Sequence, residues 1–248
     1  MSMSDGAAAG GSRQAAASRR KPRVPRVIAI DGPAAAGKTT VGRQTGCHLG
    51  YPFLDTGAIY RAMTWTALHR GEDLSDEDAL SELAASISID IGPPASDSIE
   101  PCTIFVDGED VTRNLRQPEV EAAVSLVSQV AGVRKALVKV QRDLAGRNSV
   151  VMAGRDIGTV VLPKADLKVY LDASVEERAR RRFAELSTLG MDLTEEGVLR
   201  DLRRRDRIDS ERSVSPLRPA EEAVIIDTDG LTLEEVVLRV LELVEGSA

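Results

Sequence analysis

Residues 28–40, IAIDGPAAAGKTT, decide how this chain begins to fold. The spacing GxxxxGK[ST] is met by Gly32, Gly37, Lys38 and Thr39. The apolar, partly β-branched run before the first glycine is typical of a buried parallel strand, and a helix is predicted to start at Lys38. A glycine-rich loop between such a strand and a helix is the setting in which this spacing binds phosphate. The stretch therefore predicts a P-loop.

The lysine and threonine of this loop have defined roles in triphosphate binding. Successive backbone N–H groups can point at phosphate oxygens, and the helix N-terminus adds partial positive charge. Lys38 supplies a cation for the outer phosphates, and the Thr39 hydroxyl is placed for a Mg²⁺ ion. The alternative is a glycine-rich turn with a surface lysine. The predicted ATP-binding residues of the loop are Gly32, Pro33, Ala34, Ala35, Ala36, Gly37, Lys38, Thr39 and Thr40.

The remaining patterns predict a parallel α/β sheet, because strand-like and helix-like runs alternate along the chain. The first helix is predicted from about Lys38 to Leu49, with Gly50 as its cap. A second strand, YPFLD, precedes a helix that ends at Gly71. Between about residues 84 and 115, short alternating runs indicate a small antiparallel β insert. In the last helix, Thr232 and Glu235 stand at capping-box spacing.

Charge and composition exclude several classes of protein. The net charge of the 248 residues is −7, yet residues 1–26 carry six basic residues and one aspartate, which leaves −12 on the rest. So acidic a body does not favour nucleic-acid binding. No stretch is apolar enough to span a membrane, and Cys47 and Cys102 show neither metal-ligand nor disulfide spacing. We expect a cytoplasmic monomer with a disordered tail over residues 1–25.

A small-molecule phosphotransferase is the leading class among proteins that bind triphosphates. We find no NKxD-type guanine motif, as a GTPase switch would carry, and a large ATPase motor needs more chain. The run LDTGAIYRA follows the second strand, so Asp55, Thr56 and Arg61 are expected at the same sheet edge as the P-loop. In isolation, Arg61 could equally be an exposed helical arginine.

Several segments together resemble bacterial cytidylate kinase, a nucleoside monophosphate kinase that phosphorylates CMP and dCMP. They are DGPAAAGKTT, LDTGAIYRA, FVDGEDVT, AGRDIGTVVLPKADLKVYLDASVEERARRR and RRDRIDSERSVSPL, and the resemblance runs from about residue 26 to the C-terminus. It implies a P-loop fold with a doubly wound parallel sheet. The core would span about 26–71 and 148–248, a monophosphate-binding region with the β insert about 72–147, and a helical lid about 176–212.

The resemblance also implies roles for individual residues. Lys38, Arg155 and Arg212 would act at the reaction centre. Arg178, Arg181 and Arg182 would bring lid charge to ATP, which binds with Mg²⁺. The monophosphate substrate would be bound by Asp55, Thr56, Arg61, Ser128, Arg134, Arg155, Asp156, Arg205, Asp209 and Arg212. Among these, Ser128, Arg134 and Asp156 would contact the cytosine edge, and Arg205 and Asp209 the ribose.

Two interpretations of the lid arginines and two alternative functions remain open. Helical ion pairs such as Glu176 with Arg180 and Glu177 with Arg181 would explain part of the arginine run. Ala153 stands where the family often has an acidic residue.

The chain could instead be a P-loop kinase with another acceptor, or a regulatory module that binds ATP without phosphoryl transfer. Asp156 would favour cytosine, because uracil presents a carbonyl where cytosine has an amine.

Overall fold

The computed structural model describes residues 24–93, 102–146, 149–188 and 193–246. The predicted tail over residues 1–25 therefore lies almost wholly outside the described residues. None of the described helices combines the length and the apolarity that crossing a membrane requires.

The first part of the chain builds two strand–helix units and a third helix. They are β1 (Val27–Asp31), α1 (Lys38–Leu49), β2 (Phe53–Asp55), α2 (Thr56–Arg70) and α3 (Glu77–Ser86). Gly50 and Gly71 end α1 and α2 in the left-handed conformation, as predicted. Helix α3 was not predicted from the sequence. The Asp76 side chain caps its start by accepting from the backbone N–H groups of Asp78 and Ala79.

The middle of the chain contains the predicted antiparallel insert and two helices. These elements are β3 (Ile89–Gly92), β4 (Thr103–Val106), β5 (Glu109–Asp110), α4 (Pro118–Val127) and α5 (Ala131–Ala145). The three strands form their own sheet in the order β3-β4-β5, and both pairs are antiparallel. A core of buried side chains joins this sheet to α2, α3, α4 and α5.

The last part of the chain completes the main sheet. It comprises β6 (Val150–Gly154), β7 (Leu167–Asp172), α6 (Val175–Thr188), α7 (Glu195–Glu211), β8 (Val224–Asp227) and α8 (Leu233–Gly246). The predicted capping box starts α8, because Thr232 N–H donates to Glu235 Oε2 over 2.8 Å and Glu235 N–H donates to Thr232 Oγ1 over 3.2 Å.

The five main strands lie in the order β2-β6-β1-β7-β8, and every pair is parallel. Ile28 and Ile30 of β1 pack with Val41 of α1 and with α8, whereas Ala29 faces the opposite side, toward α5. This confirms the predicted doubly wound sheet. Because all five strands run the same way, the residues after β1, β2 and β6 meet at one edge, where ligands of such sheets bind.

Candidate active site

The P-loop leaves β1 through a turn that only glycine allows. Gly32 has φ +148°, and a Cβ atom there would lie 2.1 Å from the carbonyl oxygen of Leu171. The loop then enters α1 through Gly37, whose φ of +86° is left-handed. The backbone thus curls before Lys38 as the GxxxxGK[ST] spacing predicts.

Lys38 points back into the loop and is buried. Its Nζ donates to the Pro33 carbonyl oxygen over 2.5 Å. Burial lowers the pKa of Lys38 well below its ordinary value, and the nearby Arg155 cation lowers it further. A bound anion would oppose both effects, so the ammonium group is suited to a phosphate ligand.

Asp55 links the P-loop helix to α2. Its Oδ2 accepts from Thr39 Oγ1 over 3.1 Å and its Oδ1 accepts from the Gly57 N–H over 2.9 Å. Arg61 Nη2 lies 3.5 Å from the same carboxylate. Burial raises the pKa of Asp55, but Arg61 and the Gly57 amide outweigh it, so the net shift is downward. An ionised carboxylate therefore stands beside the Thr39 hydroxyl.

Thr56 is held by the main sheet. Its hydroxyl donates to the Ala153 carbonyl oxygen in β6 over 2.9 Å, and the residue is buried. Ala153 lies inside that strand, 1% exposed, so its side chain is enclosed in the core. The Thr56 hydroxyl thus joins α2 to the end of β6, just before Arg155 and Asp156.

A buried ion pair connects α5 to the loop after β6. Arg134 Nη2 and Asp156 Oδ2 are 2.5 Å apart, and Arg134 Nη1 donates to the Ser128 carbonyl oxygen over 3.2 Å. The Arg134 guanidinium also lies over the Tyr60 ring, 5.2 Å from its centroid. The structure thus brings together Ser128, Arg134 and Asp156, the three residues that the resemblance assigns to the base.

Asp209 of α7 holds two arginines of the site. Arg155 Nε donates to Asp209 Oδ2 over 2.8 Å, and Arg212 Nη1 donates to Asp209 Oδ1 over 3.4 Å. Burial raises the pKa of Asp209, but the two guanidinium groups outweigh this and lower it. Arg212, the C-cap of α7, also lies 4.0 Å from Asp156 Oδ1. Arg155, Arg212 and the Arg134–Asp156 pair therefore form one connected network.

The lid arginines fall into different environments. Arg178 is buried and donates to the P-loop carbonyl oxygen of Ala34 over 3.2 Å and to both carboxylate oxygens of Asp206, over 3.2 and 2.7 Å. Arg181 donates to Glu177 over 2.7 Å and to Thr228. The predicted Glu177–Arg181 ion pair is therefore present.

The predicted Glu176–Arg180 pair is wrong. Arg180 instead forms a two-pronged pair with Glu177, at 2.9 and 2.8 Å, and Glu176 accepts from Arg203 of α7 over 2.9 Å. The neighbouring helix supplies a competing cation, which a rule based on one helix cannot include.

An acidic residue that the sequence does not single out lies among these cations. Glu121 of α4 lies near Arg61, Arg182 and Arg205, of which Arg205 is the nearest, at 3.2 Å. Tyr60 and Ser125 also line the site and were missed, although Tyr60 lies four residues after Thr56 and Ser125 lies three residues before Ser128. Those two positions could have been found from helical spacing.

One cleft of about 420 Å³ is lined by most of these groups, though not by Arg178. Its lining includes Lys38 and Thr39 of the P-loop as well as Ser128, Arg134 and Asp156. Four arginines have a buried guanidinium nitrogen that makes no hydrogen bond within the described part of the chain: Arg61, Arg134, Arg205 and Arg212. Such donors around a cleft indicate an anionic ligand.

Comparison with known proteins agrees with this geometry. The family model described as cytidylate kinase matches residues 28–246. A cytidylate kinase of Bacillus velezensis is 49% identical over 88% of this chain and 96% of its own length. A cytidylate kinase of a Geobacillus species is 50% identical over 88% of this chain and 95% of its own. The chain belongs to the cytidylate kinase family.

Proposed function

We propose that this protein transfers the γ-phosphoryl group of ATP to the α-phosphate of CMP or dCMP, giving ADP and the nucleoside diphosphate. Family membership supports the reaction class. The observation that carries the proposal is the single cleft that runs from Lys38 of the P-loop to the buried Arg134–Asp156 pair. The P-loop suits a triphosphate and the Arg134–Asp156 pair suits a base, and further arginines line the same cleft.

ATP would bind at the P-loop end. Lys38 and the backbone N–H groups of residues 32–40 would bind the outer phosphates, and Arg178, Arg181 and Arg182 would add charge from the lid. Arg178 would act mainly by holding the loop, since it already donates to the Ala34 carbonyl oxygen.

Mg²⁺ would bind with ATP beside Thr39. The Thr39 hydroxyl and the Asp55 carboxylate, 3.1 Å apart, are the hard oxygen donors that Mg²⁺ prefers, so the residues present fit the ion. Within the described residues, no group of three or more acidic, histidine or cysteine side chains could hold a metal by itself. The ion would therefore depend on ATP for further ligands. When bound, it would neutralise charge on the phosphates.

CMP would bind with its phosphate toward the P-loop and its base at the Arg134–Asp156 pair. Arg61 and Arg155 would bind the phosphate beside Asp55 and Thr56, and Arg205 and Asp209 would contact the ribose. Asp156 would accept from the exocyclic amine of cytosine, while Ser128 and Arg134 complete the base contacts. Because UMP presents a carbonyl to this carboxylate, one buried acceptor would face another, and UMP is expected to be the poorer substrate.

No protein nucleophile is needed for this reaction. Charge spreads over the phosphoryl oxygens in the transition state, so positioning and electrostatic stabilisation supply the catalysis. Lys38, Arg155 and Arg212 are the cations that we assign to this task. Closure of α6 and α7 over both substrates would exclude water as a competing acceptor.

We further propose that the chain works as a cytoplasmic monomer. The proposed core is residues 26–71 and 148–248, the monophosphate-binding region 72–147, and the lid 176–212.

The experiment that tests the reaction measures ADP formation from Mg·ATP with CMP, dCMP, UMP or AMP as acceptor. We expect rapid ADP formation with CMP and dCMP only. Equal rates with UMP would refute base selection by Asp156 but leave the kinase activity. ADP formation that depends on none of the acceptors would refute the phosphotransferase.

A further inference from the structure

Glu121 is an acidic side chain of the cleft that lies among arginines of three helices. It lies on α4, and its carboxylate contacts one arginine from each of three other helices. Arg61 of α2 lies at 3.9 Å, Arg182 of α6 at 3.6 Å and Arg205 of α7 at 3.2 Å. We call these three the Glu121 arginines.

The Glu121 arginines are residues that the proposed function gives to the substrates. A guanidinium group that pairs with Glu121 has fewer N–H groups left for a phosphate. Burial raises the pKa of Glu121, but the Glu121 arginines and Arg116 outweigh burial and lower it. The carboxylate is therefore ionised at neutral pH and competes directly with a phosphate ligand.

Two of the three contacts of Glu121 are long, because Arg61 lies nearer to Asp55, at 3.5 Å, and Arg182 lies nearer to Glu185, at 2.8 Å. Arg134 and Asp156 approach to 2.5 Å, and Arg178 holds Asp206 through two hydrogen bonds. Of the Glu121 arginines, only Arg205 lies within hydrogen-bonding distance of the carboxylate. A carboxylate that neutralises three guanidinium groups with one hydrogen bond can be exchanged for a better acceptor at small cost.

We propose that Glu121 is an internal counter-ion beside the acceptor-phosphate site. It neutralises the Glu121 arginines before a substrate binds, and the phosphate of the incoming nucleoside monophosphate displaces it from Arg61, the member of the three that binds this phosphate. This inference rests on the proposed function. Glu121 thereby weakens binding of the phosphate group and leaves binding of the base unchanged. It is a specificity-determining residue for the ligand's charge, and it keeps the arginines together until that ligand arrives.

The test compares binding of CMP with binding of cytidine, which has the same base and ribose but no phosphate. Dissociation constants are measured by titration calorimetry for the wild type, Glu121→Gln and the matched control Glu119→Gln. Glu119 is an exposed acid two residues earlier on α4. We expect Glu121→Gln to bind CMP roughly three- to tenfold more tightly at low salt, and to change cytidine affinity by a clearly smaller factor, because cytidine shares the ribose contact with Arg205 but lacks the phosphate that Arg61 would bind. Glu119→Gln should match the wild type for both ligands.

Other outcomes overturn the inference. Unchanged or weaker CMP binding by Glu121→Gln would mean that the carboxylate merely organises the arginines. Equal changes for CMP and cytidine would indicate altered packing. If Glu121→Gln does not fold, Glu121→Asp, whose carboxylate is retracted by one methylene, must tighten CMP binding by a smaller factor, and no change again refutes the proposal.

Measuring turnover distinguishes a failure of the proposed function from a failure of the proposed role of Glu121. A wild type that neither binds CMP nor forms ADP with it would refute the proposed function itself. A wild type that phosphorylates CMP, combined with unaltered CMP affinity in both Glu121 variants, refutes only the role of Glu121.

Discussion

At the scale of single residues, Asp31 is a buried carboxylate whose hydrogen bonds position the loop after β6. It ends β1 just before the P-loop, is 3% exposed, and accepts from the N–H groups of Ile157 and Gly158 over 2.7 Å each. Those amides directly follow Asp156. Burial raises the pKa of Asp31 to about 6, a shift that the Asp156 charge increases and that the two amides and Lys38 reduce. Asp31 therefore fixes the loop that carries Arg155 and Asp156.

We expect Asp31→Asn to lose activity with little loss of stability. The amide can accept from only one of the two N–H groups, so the loop should shift and kcat/KM for CMP should fall about tenfold. The variant no longer buries the Asp31 charge, and this gain should offset the lost hydrogen bond. Its free energy of unfolding at pH 7 should therefore stay within about 1 kcal/mol of the wild-type value. Steady-state kinetics and urea unfolding measure both quantities.

The pH dependence of stability provides a second readout for Asp31. Its folded pKa of about 6 exceeds the ordinary value of 3.8, so its contribution to stability is greatest below pH 4 and falls as the pH rises to 6. The full difference is about 3 kcal/mol. Asp31→Asn should lack this component. Asp166→Asn is the matched control, because Asp166 also accepts two amides, those of Arg26 and Val27, but at the opposite end of β1. Equal kinetic losses in the two variants would refute the role of Asp31.

At the scale of elements, Arg178 joins three parts of the donor site. It lies in the first turn of α6 and donates to the Ala34 carbonyl oxygen of the P-loop and to Asp206 of α7. Lysine would keep the charge but could not form the two-pronged pair. We expect Arg178→Lys to lower the free energy of unfolding by about 2 kcal/mol and to raise KM for ATP more than KM for CMP.

Arg180→Lys is the control for this prediction. Arg180 lies two residues further along α6, and its side chain is 65% exposed. Its replacement should change neither the urea midpoint nor either KM. Similar effects of the two substitutions would show that α6 responds to any change of its arginines, and that Arg178 has no special link to the P-loop.

The elements also show what could be predicted from sequence. Local signals determine the P-loop, the caps at Gly50 and Gly71, and the capping box of α8, because each depends on residues a few positions apart. Contacts between helices are different. The pairing of Glu176 with Arg203 joins residues 27 positions apart and displaces the expected helical pair. Glu121, among alanines on α4, resembles an exposed acid until α2, α6 and α7 surround it.

At the scale of the whole molecule, the cleft divides the protein into two sides. Arg61 and Arg134 belong to the side built from α2, α4, α5 and the antiparallel insert, whereas Asp209 and Arg212 lie at the end of α7, between β7 and β8 of the main sheet in chain order. A nucleotide that contacts both sides binds only the folded molecule, so it should stabilise the whole chain.

We expect CMP at about one hundred times its dissociation constant to add about 2.7 kcal/mol to the free energy of unfolding, which corresponds to a rise in Tm of roughly 5–10 °C for a domain of this size. UMP at the same concentration should raise Tm far less, because Asp156 would face its carbonyl. Thermal unfolding followed by circular dichroism measures both shifts. Asp156→Asn should remove most of the CMP effect and narrow the difference between the two nucleotides. Equal stabilisation by CMP and UMP in the wild type would mean that phosphate and ribose contacts dominate binding. The Arg134–Asp156 pair would then hold the two sides together without discriminating between cytosine and uracil.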